Sequence, residues 1–154
     1  MMNLCCDVLA SLEGKTLVTA ESLTGGGIGA ALTAVSGASA VYKGGIISYT
    51  NEVKHNLLGV SLEDLDQYGA VSEPVARAMA EGVRKVLEAD IAVSVTGLAG
   101  PAGDEYGNPV GTVFIGYSDS DVTVVKHCRF YGDREAIRKQ TGETALRMVL
   151  SMQT

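Results

Sequence analysis

Apolar residues recur along this chain at two spacings, and the alternation between them lays out its elements. Leu4, Val8 and Leu12 fall every fourth position, the stripe of a short amphipathic helix over residues 3–13 that Gly14 stops. Lys15 to Ala20 is apolar and rich in strand formers, so a strand follows. It runs into Glu21-Ser22-Leu23-Thr24-Gly25-Gly26-Gly27 and then an alanine-rich helix from about Ile28. Gly44 to Tyr49 reads as a second strand. Asn51-Glu52-Val53-Lys54 opens a capped helix ending at Gly59, and Ser61 caps a short one that Gly69 closes after Tyr68. Pro74 suits a helix's first turn, and Val75, Met79, Val83 and Val86 give that helix a buried stripe as far as Glu88.

Ile91 to Val95 is a continuous apolar run, the mark of a strand buried on both faces, and Thr96-Gly97-Leu98-Ala99-Gly100-Pro101 follows as a second glycine-rich strand end. Val110–Tyr117 and Val122–Phe130 read as two strands joined by the polar turn Ser118-Asp119-Ser120-Asp121, an antiparallel hairpin. A last helix from about Asp133 to Met152 turns Ile137, Ala145, Met148 and Val149 inward. Helices alternating with strands predict an α/β sandwich, with a sheet that is mostly parallel but mixed because of the hairpin.

Composition narrows the class. With 154 residues and 46% apolar content, residues 1–154 are expected to form one globular domain with a core that needs no staple. A net charge of −6 argues against partners held by bulk positive charge, so neither nucleic acid nor an anionic membrane is expected. No apolar run approaches the roughly 20 residues that span a bilayer. The N-terminal stretch carries Asp7 and Glu13 and no basic leader, so no export is expected. Cys5 and Cys6 are adjacent and Cys128 is distant, which makes neither a disulfide framework nor a zinc spacing. Reduced thiols in a cytoplasm fit that pattern.

The segment Glu21 to Gly27 carries the strongest chemical signal. Backbone N–H groups at a helix start, with glycines allowing close approach, form an anion site for a phosphate or a developing oxyanion, and a serine there can act as nucleophile. The sequence lacks the Gly-Lys-Ser/Thr of a Walker A loop, the G-x-G-x-x-G fingerprint and G-x-S-x-G. The plain alternative is a tight strand-to-helix turn. His55 and His127 offer Ser22 no obvious triad. A lysine serves as base when burial disfavours its charge, and Lys54, close behind a strand end, is the one to examine; an ordinary lysine is a solvated charge.

Thr96 and Gly97 repeat the spacing of the first site, since Ser22-Leu23-Thr24-Gly25 and Ser94-Val95-Thr96-Gly97 are both S-x-T-G. Two such turns on one sheet edge would converge on one cleft. The stretch from Gly97 to Gly111 is long enough to form a mobile flap. Arg134 and Arg138, four apart, present guanidinium groups on one helix face that suit a phosphate, or else simply a solvated face. Glu21, Glu52 and Glu73 stand near enough in sequence to orient Lys54 or a water. Tyr49 offers a hydroxyl, although a partly buried strand tyrosine is the ordinary reading. Neither a histidine cluster nor a carboxylate pair at ligand spacing occurs, so no metal and no cofactor is expected.

Six strings occur in order: Thr19-Ala20-Glu21-Ser22-Leu23-Thr24-Gly25-Gly26, Tyr49-Thr50-Asn51-Glu52-Val53-Lys54, Gly69-Ala70-Val71-Ser72-Glu73-Pro74, Thr96-Gly97-Leu98-Ala99-Gly100-Pro101, Pro109-Val110-Gly111-Thr112-Val113 and Gly132-Asp133-Arg134. Together they closely resemble the CinA C-terminal domain family, across residues 3 to 150. The resemblance implies a three-layer α/β/α sandwich and, from members that are nicotinamide-nucleotide amidohydrolases, conversion of nicotinamide mononucleotide and water into nicotinate mononucleotide and ammonia. It implies Ser22 as nucleophile and Lys54 as its base, with Tyr49, Thr96 and Arg134 at further positions of the site. On this reading backbone N–H groups of the Thr24–Gly27 turn, including Gly25 and Gly26, would hold the oxyanion, and Arg134, with Arg138 second to it, the phosphate; which of the two glycine turns serves the oxyanion and which the phosphate stays open. Leu23 stands where many members carry Cys.

Full-length relatives carry a further N-terminal domain, which this chain, starting close to the first motif, is not expected to hold. The resemblance and the modest 19% charged fraction favour a homo-oligomer. Three other readings stay open: a nucleotide-binding module without turnover, an interaction protein linked to competence or damage, and an amidase for another nucleotide-like amide.

Overall fold

In the computed structural model, which describes residues 1–154, the sequence order becomes helix α1 (Met2–Ser11), strand β1 (Leu17–Glu21), α2 (Gly27–Thr33), β2 (Tyr42–Ile47), α3 (Asn51–Leu58), α4 (Leu62–Tyr68) and α5 (Glu73–Val86), followed by β3 (Ile91–Gly97), β4 (Thr112–Ser118), β5 (Thr123–Arg129) and α6 (Arg134–Ser151). The strands form one five-stranded sheet in the order β2-β1-β3-β4-β5. β1 pairs in parallel with both β2 and β3, while β4 runs antiparallel to β3 and to β5. Only β4 is therefore reversed, and the sheet is mixed as the hairpin requires.

Strand alternation divides the side chains between two cores. Leu17, Ile91, Val93, Val95, Val113, Ile115 and Tyr117 pack with Val8, Ile28, Leu32, Ile137, Leu146 and Val149 from α1, α2 and α6. Val18, Ala20 and Ala92 meet Leu58, Leu65, Val75, Met79 and Val83 from α3, α4 and α5 on the opposite face. The result is a three-layer α/β/α sandwich. β1 lies between two neighbours and under helices on both sides, so all five of its residues are buried. The edge strand β2 alternates instead between half-buried and exposed.

Several boundaries shift for physical reasons. β2 was expected over 44–49 but occupies Tyr42–Ile47, because the Ser48 and Tyr49 carbonyls leave the ladder to meet Lys54. Val86 is 53% exposed rather than part of the α5 stripe. Leu87, one residue on, packs against the core in its place. Met148 is only partly buried beside the first core. The hairpin closes through Asp119, whose N–H meets the Val122 carbonyl and whose carboxylate accepts the N–H groups of Asp121 and Val122. Ser61 and Asp133 cap α4 and α6 through their side chains, as their residue types favour.

Candidate active site

β1 and β3 run in the same direction side by side, so the chain leaves both at one sheet edge. Ser22 is the first residue beyond β1. Its N–H donates to the Val95 carbonyl at 3.1 Å and its own carbonyl accepts from Gly25 N–H at 3.1 Å, which holds it in a tight turn. Lys54 comes from α3, whose start is fixed by the Thr50 hydroxyl accepting from Val53 N–H. It is 1% exposed. Its Nζ lies 3.0 Å from Ser22 Oγ, 2.7 Å from the Ser48 carbonyl and 3.3 Å from the Tyr49 carbonyl.

No carboxylate pairs with that amine; the one ion pair in the structure is Arg77 with Glu73. Burial without a counter-charge disfavours the ammonium and brings its pKa from 10.5 down to about 8. A neutral amine has two N–H bonds and one lone pair. With the two carbonyls taking the N–H bonds, the lone pair is left for the Ser22 hydroxyl proton. Beside this pair, the fully buried Ser48 Oγ has no hydrogen-bond partner.

The glycine turn after Ser22 is partly satisfied from within. The Glu21 carboxylate accepts the Thr24 hydroxyl at 2.6 Å, Ile28 N–H at 2.8 Å and Gly29 N–H at 3.0 Å. It thus occupies the start of α2 itself, and an incoming phosphate would meet a negative charge already seated there. Gly25 N–H and Gly27 N–H are spent within the turn, on Ser22 and Thr24 carbonyls. Gly25 and Gly26 adopt φ of 59° and 100°, which lets so short a turn close. Of the backbone donors that remain, the N–H groups of Leu23, Thr24 and Gly26 reach no acceptor within the chain, and neither do those of Ala99 and Gly100 beyond β3.

A cleft of about 310 Å³ opens on Ser22. Leu23 and Tyr49 form one side, Ala70 and Val71 another, and Thr96 to Gly100 with Ala102 the wall beyond β3. Arg134 is its only charged lining residue. Its guanidinium donates to the Gly100 carbonyl at 2.7 Å and to the Tyr49 hydroxyl at 3.3 Å, joining the two rims. Tyr49 is 60% exposed, so it is a mouth residue and not a buried strand tyrosine. Thr96 is buried, and its hydroxyl donates to the Ala70 carbonyl at 2.8 Å, which positions the cleft side. At Gly97 a Cβ would press on Thr112 and Val113 of β4.

The structure therefore gathers Ser22, Lys54, Tyr49, Thr96, Gly97 and Arg134. Thr24, Gly25 and Gly26 belong to the turn that follows Ser22, but neither they nor Arg138 line this cleft with their side chains. Thr24 and Arg138 line a separate depression of about 190 Å³ with Gly27, Ile28, Glu135 and Lys139. Arg138 donates from Nε to the Leu23 carbonyl at 2.8 Å and from Nη2 to the Thr24 carbonyl at 3.2 Å. The three glutamates do not orient Lys54: Glu21 caps α2, Glu73 pairs with Arg77 at 2.9 Å, and Glu52 is exposed on the first turn of α3. His55 Nδ1 meets the Val60 carbonyl, and His127 stacks on Phe114 with ring centroids 4.4 Å apart.

The S-x-T-G echo does not superpose. Strand register sets Ala20 beside Ser94, so Ser94 lies inside β3 and donates to the Ala76 carbonyl of α5. The Gly97–Gly111 segment is tied down. Asn108 Nδ2 donates to the Val71 carbonyl and to Asp104, and the Tyr106 hydroxyl donates to the Asp66 carbonyl. Sequence reasoning missed Ser48, Ala70 and Val71. The first contributes only through its carbonyl, and the others line the cleft from a loop distant in sequence.

Comparison with known proteins supplies the family. The CinA C-terminal domain profile matches residues 3–153. A CinA-like protein of Rippkaea orientalis is 50% identical over 137 residues, 87% of this chain and 33% of that protein. A putative competence-damage inducible protein of Thermoanaerobacter pseudethanolicus is 46% identical over 134 residues, 87% of this chain and 32% of that protein. The chain thus spans about a third of the curated relatives it matches. A crystal structure of a CinA superfamily protein from Klebsiella pneumoniae superposes with a TM-score of 0.96 at 36% identity, covering 99% of this chain and 96% of that one. A competence/damage inducible protein from Agrobacterium tumefaciens gives 0.94 at 38% identity, with coverage of 99% and 95%. With motifs in order, a profile match nearly end to end and the same sandwich in solved relatives, the chain belongs to the CinA C-terminal domain family.

Proposed function

We propose that this chain is a serine–lysine amidohydrolase that converts nicotinamide mononucleotide and water into nicotinate mononucleotide and ammonia. The observation that carries the reading is the buried, unpaired Lys54 amine 3.0 Å from Ser22 Oγ, with two carbonyls to take its N–H bonds. Neutral Lys54 takes the hydroxyl proton as Ser22 Oγ attacks the carboxamide carbon. The developing oxyanion is met by backbone N–H groups free of internal partners, those of Leu23 and Thr24. The C–N bond then breaks as the Lys54 ammonium gives its proton to the departing amide nitrogen, which leaves as ammonia. Water attacks the acyl-serine ester, again with Lys54 as base, and releases the nicotinate carboxylate and the Ser22 hydroxyl.

Substrate choice follows from the cleft lining. The apolar wall and the Tyr49 ring suit a flat heteroaromatic amide, and Arg134 supplies one positive charge for one phosphate. No Asp or Glu lines the cleft to repel it. The test is release of ammonia and nicotinate mononucleotide by purified protein given nicotinamide mononucleotide, beside a folded Ser22→Ala variant. Turnover absent from the wild type, with the nucleotide still bound, would leave a binding module as the better account. Turnover of other amides alone would move the substrate and keep the chemistry.

A further inference from the structure

The peptides that follow Ser22 carry the N–H groups available to an oxyanion, and something must hold them in place. The turn contains two glycines at positive φ, where peptide rotation meets little steric resistance. Internal bonds restrain only part of it. Gly25 N–H fixes the Ser22 carbonyl, and Glu21 fixes the Thr24 hydroxyl, but neither touches the Leu23 carbonyl. That carbonyl is held from outside the turn by Arg138 Nε at 2.8 Å, and the next one by Arg138 Nη2 at 3.2 Å.

We propose that Arg138 is a positioning residue for the oxyanion site: by gripping the Leu23 and Thr24 carbonyls from behind, it keeps Thr24 N–H facing the reacting atoms. The inference rests on the serine–lysine reading above. In a planar trans peptide the N–H points opposite to the carbonyl. With the Leu23 carbonyl turned toward α6, Thr24 N–H leaves on the far side, where it has no acceptor within the chain. The fork is anchored well, because the neighbouring Ile137 is 1% exposed in the core and Asp133 caps α6. An arginine is needed, since its planar donors span two successive carbonyls where an ammonium offers a point charge. Arg138 does not line the Ser22 cleft, whereas Arg134 does, and a phosphate ligand would have to release both carbonyls.

The experiment uses Arg138→Gln and Arg138→Lys, both checked for unchanged melting temperature. It compares nicotinamide mononucleotide with the phosphate-free nucleoside carboxamide. A second readout is the rate at which a fluorophosphonate labels Ser22. In that reaction the Oγ–P bond forms, the P–F bond breaks, fluoride leaves and Lys54 takes the proton. Positioning predicts that kcat falls about 10- to 100-fold on both substrates, somewhat less than loss of an oxyanion donor outright. KM should stay within about twofold, and labelling should slow in parallel, with Arg138→Lys no better than a partial rescue.

A rise in KM for the nucleotide alone, with kcat and labelling unchanged, would overturn the proposal and make Arg138 a phosphate ligand. Unchanged kinetics throughout would reduce it to a surface fork. If the wild type labels but does not turn over nicotinamide mononucleotide, slower labelling in the variants still supports the positioning role. A wild type inert in both assays would overturn the serine–lysine reading and this inference with it.

Discussion

β1 and β3 are neighbours of the same direction, both glycine-rich at their exits, yet the segments that leave them behave oppositely. After β1 the chain folds into a tight turn whose polar groups are met by Glu21 and Arg138. After β3 it makes a wide excursion to Gly111, tied at Asn108 and Tyr106, that leaves the Ala99 and Gly100 N–H groups free and walls the cleft. A glycine-rich strand end is not in itself an anion cradle. After β1 the Glu21 carboxylate takes the Ile28 and Gly29 N–H groups at the start of α2, while Leu23 and Thr24 N–H within the turn stay free. The turn after β1 holds Ser22 at the cleft, and the loop after β3 forms the wall opposite it.

The contrast is broken most severely at its chemical end. Ser22→Ala or Lys54→Met should each lower turnover by about 10⁴-fold or more, and the double variant by little beyond either, because the two act as a unit. Ammonia release measures this, and additive losses would mean that the pair does not work together.

Titration probes the same amine next. Activity should climb with pH toward a plateau above about 8, since Lys54 must be neutral to act as base. Stability should follow with a definite sign. Between about 8, the folded value, and 10.5, the ordinary one, the unfolded chain holds a proton that the folded one does not, so stability rises with pH. Relative to Lys54→Met, the wild type should gain about 3 kcal/mol from below pH 8 to above 10.5. Urea unfolding of both proteins across that range checks it, and parallel curves would contradict burial of an unpaired amine.

Smaller effects separate the two exits. Glu21→Ala strips the turn of its internal acceptor and should cost about 2–3 kcal/mol in urea unfolding. Asn108→Ala should cost only about 1 kcal/mol, and it should raise KM more than it lowers kcat, because it loosens the wall and not the nucleophile. An Asn108 variant that lost kcat with KM unchanged would erase the division of labour. Smallest of all, Glu73→Ala removes an exposed pair with Arg77 and should change stability by less than about 0.5 kcal/mol.

Local chemistry was legible where one residue type decides the outcome. Ser61 and Gly69 bracket α4 as their side-chain properties dictate, and Gly59 ends α3 in the left-handed region. The Ser22–Lys54 pairing was legible through the resemblance, and the structure brings the two together because β1 and β2 are parallel neighbours that end at one edge. What stayed hidden depends on register and on competition for partners. The S-x-T-G echo is identical as text but is offset along the ladder, so Ser94 faces α5 and not the cleft. Glu21 lies next to Ser22 in sequence, and only its three hydrogen bonds reveal that it serves α2. Arg138 lies one helical turn from Arg134, but its guanidinium reaches the Leu23 and Thr24 carbonyls behind the turn.

The strand order carries one more consequence. Ser22 and Lys54 both arise between Leu17 and Leu58, one contiguous β-α-β-α stretch, whereas the far wall comes from Leu98 to Ala102 together with Arg134. Ser22 and Lys54 and the far wall of the cleft thus come from separate portions of the chain. The excursion between Gly97 and Gly111 begins and ends on adjacent antiparallel strands, with Leu98 N–H on the Thr112 carbonyl and Gly111 N–H on the Leu98 carbonyl as its clasp. That clasp makes the excursion a graft point: a loop of different length and lining can be exchanged there to rebuild the far wall of the cleft while Ser22 and Lys54 keep their original support.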